Sequence, residues 1–193
     1  MQSSSLAFTS VIVVLIISCS NKHEFDIPIY EPGSMEYGWA VAKKNGKEFR
    51  ASALARRFSD QPDSLYALYI GTESVEGFER EFISIGFMSF GIEEYVVSSV
   101  DYNQFYPNRL NVSYHTRQDD GDVSEDSYII DDAYPGYLKV TSLDTASLDS
   151  TQWTVSGEFD LGFVISPFLE KVNPLNPDQV RLTHGQFEVR FLR

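Results

Sequence analysis

A serine nucleophile needs a base within hydrogen-bond reach and a third group to orient that base. The 193-residue chain offers three histidines for such work, His23, His115 and His184. No Gly-x-Ser-x-Gly elbow and no glycine-rich phosphate loop occurs. His23 sits in a polar N-terminal stretch, His115 on the polar side of an alternating run and His184 beside Gly185, so nothing distinguishes them from surface histidines. Carboxylates are plentiful, but glycosidase pairs meet in space rather than in sequence, and no pair stands out. The densest run, Asp119-Asp120-Gly121-Asp122-Val123-Ser124-Glu125-Asp126, places hard oxygens around a glycine as a Ca²⁺ site would. It lacks the ordered Asp-x-Asp-x-Asp-Gly spacing and the distal Glu, so the expectation is a solvated turn, with no metal or other cofactor. Asp131-Asp132 extend the same negative patch. Tyr95, Tyr102, Phe105, Tyr106, Tyr114, Tyr128, Tyr134 and Tyr137 cluster mid-chain. Such rings suit sugar or protein contacts, but packing on a sheet face or beneath loops is the favoured expectation. Phe105-Tyr106-Pro107 and Ala133-Tyr134-Pro135-Gly136 read as loops, hence as the exposed members.

One thiol exists, on Cys19. It closes Ile16-Ile17-Ser18-Cys19, directly after the apolar run Val11–Ile17. That run is too short for the ~20 residues that span a bilayer and suits the h-region of a secretory signal. An aliphatic residue, a permissive position, a small residue and then Cys is similar to a bacterial lipobox. The similarity implies cleavage before Cys19 and a diacylglycerol on its sulfur, so Cys19 is the expected lipid-attachment residue and no catalytic thiol remains. Two or three acyl chains, at ~0.8 kcal/mol per buried CH₂, anchor stably. The n-region Met-Gln-Ser-Ser-Ser departs from the usual pattern in lacking Lys or Arg. The reading is therefore residues 1–18 as signal peptide and 19–36 as a lipidated tether, with Pro28, Pro32 and Gly33 disfavouring regular structure.

The elements that would carry any site lie in residues 37–193. With 28 acidic against 15 basic residues, the net charge is −13, which disfavours phosphate backbones and so nucleic acid as a partner. A single cysteine leaves no disulfide framework. Aromatics at 14% and apolar residues at 42% supply a core. Period-two alternation recurs and no long helical period appears. From Trp153 to Ile165 the odd positions Trp153, Val155, Phe159, Leu161 and Phe163 face Thr154, Ser156, Glu158 and Asp160 on the other side. Leu110, Val112 and Tyr114 form a second set, opposed by Asn111, Ser113 and His115; Ile83, Ile85 and Phe87 form a third. Leu65–Ile70 is apolar on both faces and reads as a central strand, with further strands near 127–130 and 136–143.

Two backbone devices are legible. Asn45-Gly46 is a type I′ hairpin signal that pairs Lys44 with Lys47 and Lys43 with Glu48. It puts Ala40, Ala42, Phe49 and Ala51 on one face and Trp39, Val41 and Arg50 on the other, without saying which is inside. In the last strand Val180 and Leu182 share a parity that Phe187, Val189 and Phe191 do not, so a β-bulge is expected at His184-Gly185. Gly91–Tyr106 leaves room for a short helix. The expected architecture is all-β: an antiparallel β-sandwich or partly open β-barrel of roughly eight to ten strands in one domain over 37–193.

Four stretches together carry a resemblance: Trp39–Phe49 with its Asn45-Gly46 turn, Gly136–Asp144, Val155–Phe159 with Gly157-Glu158-Phe159, and Val180–Phe187 with Thr183-His184-Gly185-Gln186-Phe187. The set resembles an uncharacterised family of Bacteroidetes lipoproteins. The resemblance implies an all-β lipoprotein domain at the outer membrane and brings no substrate, cofactor or catalytic residue. The functional expectation is a non-enzymatic envelope domain with a binding or structural role, attached through acyl chains on Cys19 and facing a protein or glycan partner. Two alternatives stand beside it: an exported carboxylate-dependent hydrolase acting on glycans, and a lipocalin-like carrier with an apolar cavity.

Overall fold

The computed structural model describes residues 37–57, 65–73, 79–89, 91–99, 109–118, 121–134, 136–145 and 152–192. The segments read as signal peptide and tether, with Cys19 and His23, lie outside these, as do Tyr102, Phe105, Tyr106, Asp119 and Asp120. No described residue is helical. Among the described residues ten strands follow one another: β1 Tyr37–Lys44, β2 Lys47–Arg57, β3 Leu65–Glu73, β4 Glu79–Ser89, β5 Glu94–Val97, β6 Arg109–Arg117, β7 Ser124–Ile130, β8 Gly136–Asp144, β9 Gln152–Ile165 and β10 Gln179–Leu192.

Of the two architectures expected, the strand connectivity is that of a barrel. The pairings run β1-β2-β3-β4-β6-β7-β9-β10 and return from β10 to β1, a closed circuit of eight strands, each antiparallel to its neighbours. β7 and β8 lie on one line alongside β9, with Ile130 opposite Phe163 and Tyr137 opposite Asp160. Below that junction β8 leaves β6, and β5 fills the opening, antiparallel to β8 and parallel to β6. This parallel pair departs from the all-antiparallel expectation, and the long connection after β5 permits it. β5 also stands in the first part of the stretch where a helix had room. Tyr95 and Val97 are buried while Glu94 and Val96 are exposed, and a strand's period fits that pattern.

The core is the barrel interior. It holds Ala40, Ala42, Phe49, Ala51, Leu68, Ile70, Ile83, Ile85, Leu110, Val112, Leu138, Val140, Phe159, Leu161, Phe163, Val180, Leu182 and Phe187, all buried. Burying each large side chain contributes ~1.5–3 kcal/mol. The ring of Tyr114 lies 4.9 Å from that of Tyr128 and 5.4 Å from that of Phe163, so mutually tilted rings occupy the region between β6, β7 and β9. An eight-stranded barrel is just wide enough for side chains to fill it. Asn111 and Ser113 of β6 are buried as well, so this strand is covered on both faces, not only on the expected one. The inward set of β4 changes phase after Ile85: Met88 is buried, and the pairing to β3 slips between Ile85 and Met88. The side chain of Phe87 lies outside the described residues.

Both backbone devices are present. Asn45 and Gly46 have φ of 49° and 81°, and Lys44 pairs with Lys47 as expected. The alanine and Phe49 face is the inner one. β10 bulges at His184, whose φ is 55°, and the register slips toward both β1 and β9 there. Gly185 follows because a Cβ would lie 2.4 Å from the Phe159 ring.

The hairpin turn after β1 marks the upper end of the barrel. The β6–β7 and β9–β10 connections share that end, and the starts of β1 and β6 lie at the other.

Candidate functional site

Lys44 is the last residue of β1 and has the parity of Ala40 and Ala42, so its side chain turns into the barrel mouth. It forms an ion pair with Glu81 of β4 and donates to the Tyr114 hydroxyl of β6 at 2.8 Å. These strands are not neighbours of β1, so the contact spans the upper opening. Burial pushes the Tyr114 phenol well above its ordinary range, and the nearby Glu81 charge adds to the shift. Glu81 Oε2 is buried and has no hydrogen-bond donor among the described residues.

Above this plug lies a cleft of about 540 Å³. Arg80 and Glu81 reach it from the start of β4, Thr116, Arg117 and Gln118 from the end of β6, and Glu125 from β7. Asn173 and Asn176 close it from the loop between β9 and β10. Arg117 is held in an ion pair with Glu79.

The loop Ser166–Asp178 is fixed by a carboxylate beneath it. Asp126 Oδ1 accepts the Val172 amide at 2.7 Å, and Asp126 Oδ2 accepts Asn176 Nδ2 at 2.7 Å. Asn173 Nδ2 donates to Glu125 at 2.9 Å, and the Tyr128 hydroxyl donates to the Pro177 carbonyl at 2.9 Å. Burial, then the Asp126 charge, push the Tyr128 phenol up to about 12. So anchored, the loop holds Phe168, Leu169, Val172 and Leu175 in solvent, with Phe168 83% and Leu175 91% exposed.

The residues singled out by sequence fall elsewhere or serve other ends. His115 Nδ1 lies 2.9 Å from Ser127 Oγ on the wall, and burial, with Arg117 nearby, lowers its pKa. His184 is the exposed bulge residue. Within the acidic run, Gln118 and Val123 close a turn, while Glu125 and Asp126 are spent on the loop anchors. No cluster of three metal-ligating side chains exists among the described residues. Tyr95, Tyr114 and Tyr128 are core. Tyr134 is half-buried rather than exposed: the Arg181 guanidinium stacks 4.4 Å from its ring centroid, and its hydroxyl donates to Asp160 at 2.6 Å. Arg181 also binds Asp131 and, with the Ala133 amide, holds that carboxyl below its usual range.

The cleft was not foreseen. Its residues come from four separate segments, and the only local signal was Asn173-Pro174-Leu175-Asn176-Pro177, whose asparagines and prolines favour a fixed turn. Comparison of the chain with known families, with characterised proteins and with solved structures finds no match.

Proposed function

We propose that this chain is an envelope lipoprotein of the Bacteroidetes type, held at the outer membrane through acyl chains on Cys19, whose barrel binds a partner or ligand without catalysis. The observation that carries the reading is the placement of the cleft. Tyr37, where the tether would join, begins β1 at the lower end, whereas Arg80, Gln118, Asn173 and Asn176 gather at the upper end. A barrel hung by its lower end offers the cleft away from the membrane. Radiolabelled palmitate tests the attachment: label should enter the full chain and be lost, with release from the membrane fraction, in Cys19→Ala. Label that persists in that variant, or never enters the wild type, overturns the anchor.

The hydrolase reading keeps one specific support, since Glu81 and Glu125 line the same cleft. Glycoside hydrolysis needs one carboxyl to donate a proton and a second to act as base or nucleophile. Against it, Glu81 Oε1 is engaged by Lys44 and both Glu125 oxygens accept from Asn173 and Asn176, so these carboxylates already serve as structural acceptors. Turnover of any glycan by the wild type and its loss in Glu81→Gln would favour this second reading.

A further inference from the structure

We propose that the upper cleft binds a neutral, polyhydroxylated ligand, a short glycan by chemical class. This deepens the binding reading and is independent of the anchor. Its lining carries Arg80 and Arg117 against Glu81 and Glu125, which sum to no net charge. A phosphate-bearing ligand would meet both carboxylates in a chain of net charge −13, and a compact cation would meet both guanidinium groups. Of its neutral polar side chains, Thr116, Asn173 and Asn176 already bond one another, Glu125 and Asp126, while the exposed Gln118 offers a donor and an acceptor beside the charged pairs. A hydroxyl group, itself donor and acceptor, matches that lining.

A further observation points the same way. The Asp126 anchors hold Asn173 and Asn176 in place before any ligand arrives, so little ordering remains to oppose binding. At about 540 Å³ the cleft falls within the ~300–1,000 Å³ of small-molecule sites.

The full chain, titrated calorimetrically with maltotriose, cellotriose, mannotriose and triacetylchitotriose, provides the test, with inorganic phosphate and Ca²⁺ as charged comparators. One of the neutral sugars should bind saturably, with Kd at or below ~1 mM. Gln118→Ala should weaken it by about tenfold while Tm stays within ~2 °C of wild type, and Glu81→Gln, which also opens the plug, should weaken it too. Absence of binding by all four sugars, binding indifferent to both substitutions, or tighter binding of phosphate or Ca²⁺ overturns the proposal. Cleavage of the bound trisaccharide would uphold the ligand class and overturn the non-enzymatic reading, and neither outcome bears on palmitate labelling.

Discussion

The Lys44 ammonium lies 2.8 Å from the Tyr114 hydroxyl and 5.3 Å from the centre of the same ring, so the cation bonds the tip of the phenol and stands beyond its edge, not over its face. With Glu81 it forms a polar plug over a core that is otherwise apolar on this side.

Removing one member of that plug should cost more than removing two. Lys44→Met leaves the Glu81 carboxylate at the mouth without its cation, and Lys44→Met/Glu81→Gln removes the charge that suffers. The expected coupling between the two substitutions is about 0.5–3 kcal/mol, measured by urea denaturation of both single variants and the double. Strictly additive effects would mean that the pair does not act as a unit.

Asp126→Ala should free the loop above the cleft. It strips acceptors from the Val172 and Asn173 amides and from Asn176 Nδ2, and unmade hydrogen bonds of this kind cost about 1–3 kcal/mol. Hydrogen exchange read at the Val172 amide should accelerate far more than exchange in β3, whose Leu68 and Ile70 are fully buried. Equal acceleration in both would indicate global destabilisation instead of a released loop.

Gly185→Ala should lower stability by about 1–3 kcal/mol, because the new methyl meets the Phe159 ring at 2.4 Å. Gly157→Ala should cost at least as much, since its Cβ would lie 2.3 Å from the Lys139 carbonyl oxygen, which a ring rotation cannot relieve. Urea midpoints compared at constant slope measure both.

Alkali should unfold the barrel over a defined range. Tyr128 ionises at about 12 in the fold against 10.0 in the open chain, and Tyr114 and Tyr66 are displaced further in the same direction by burial. A folded value above the unfolded one means that the unfolded state releases its proton first. Stability is therefore intact below pH ~10 and falls as pH rises toward the folded values. Tyrosinate absorbance should show a class of phenols that titrates only together with loss of structure. Tyr114→Phe should shift the Tm profile above pH ~10 upward relative to its own neutral-pH value.

The features legible in the sequence were the local ones. Asn45-Gly46 needs only its own two φ angles to specify a turn, and the parity change around His184-Gly185 announces an inserted residue within one strand. The alternation of Trp153–Ile165 gave the inner face of β9 because one side meets core and the other does not. β5 was not legible: with four residues it is too short to show a period, and its place depends on β8 diverging from β6. Nor was the cleft, because Glu81, Gln118, Glu125 and Asn176 approach only after the barrel closes. Tyr114 faces inward with Leu110 and Val112 as its parity foretold, but the partners of its hydroxyl and of the Tyr128 hydroxyl, Lys44 and Pro177, come from distant strands and loops and were not legible.

The return of β10 onto β1 bears on how such chains tolerate crowding. Among the described residues every strand of the eight-strand circuit has a neighbour on each side, and the one-sided edge is the end of β8, where Ser142–Asp144 pairs with β9 alone. Fibre growth by edge capture would therefore start at that short stretch or would first require opening a seam.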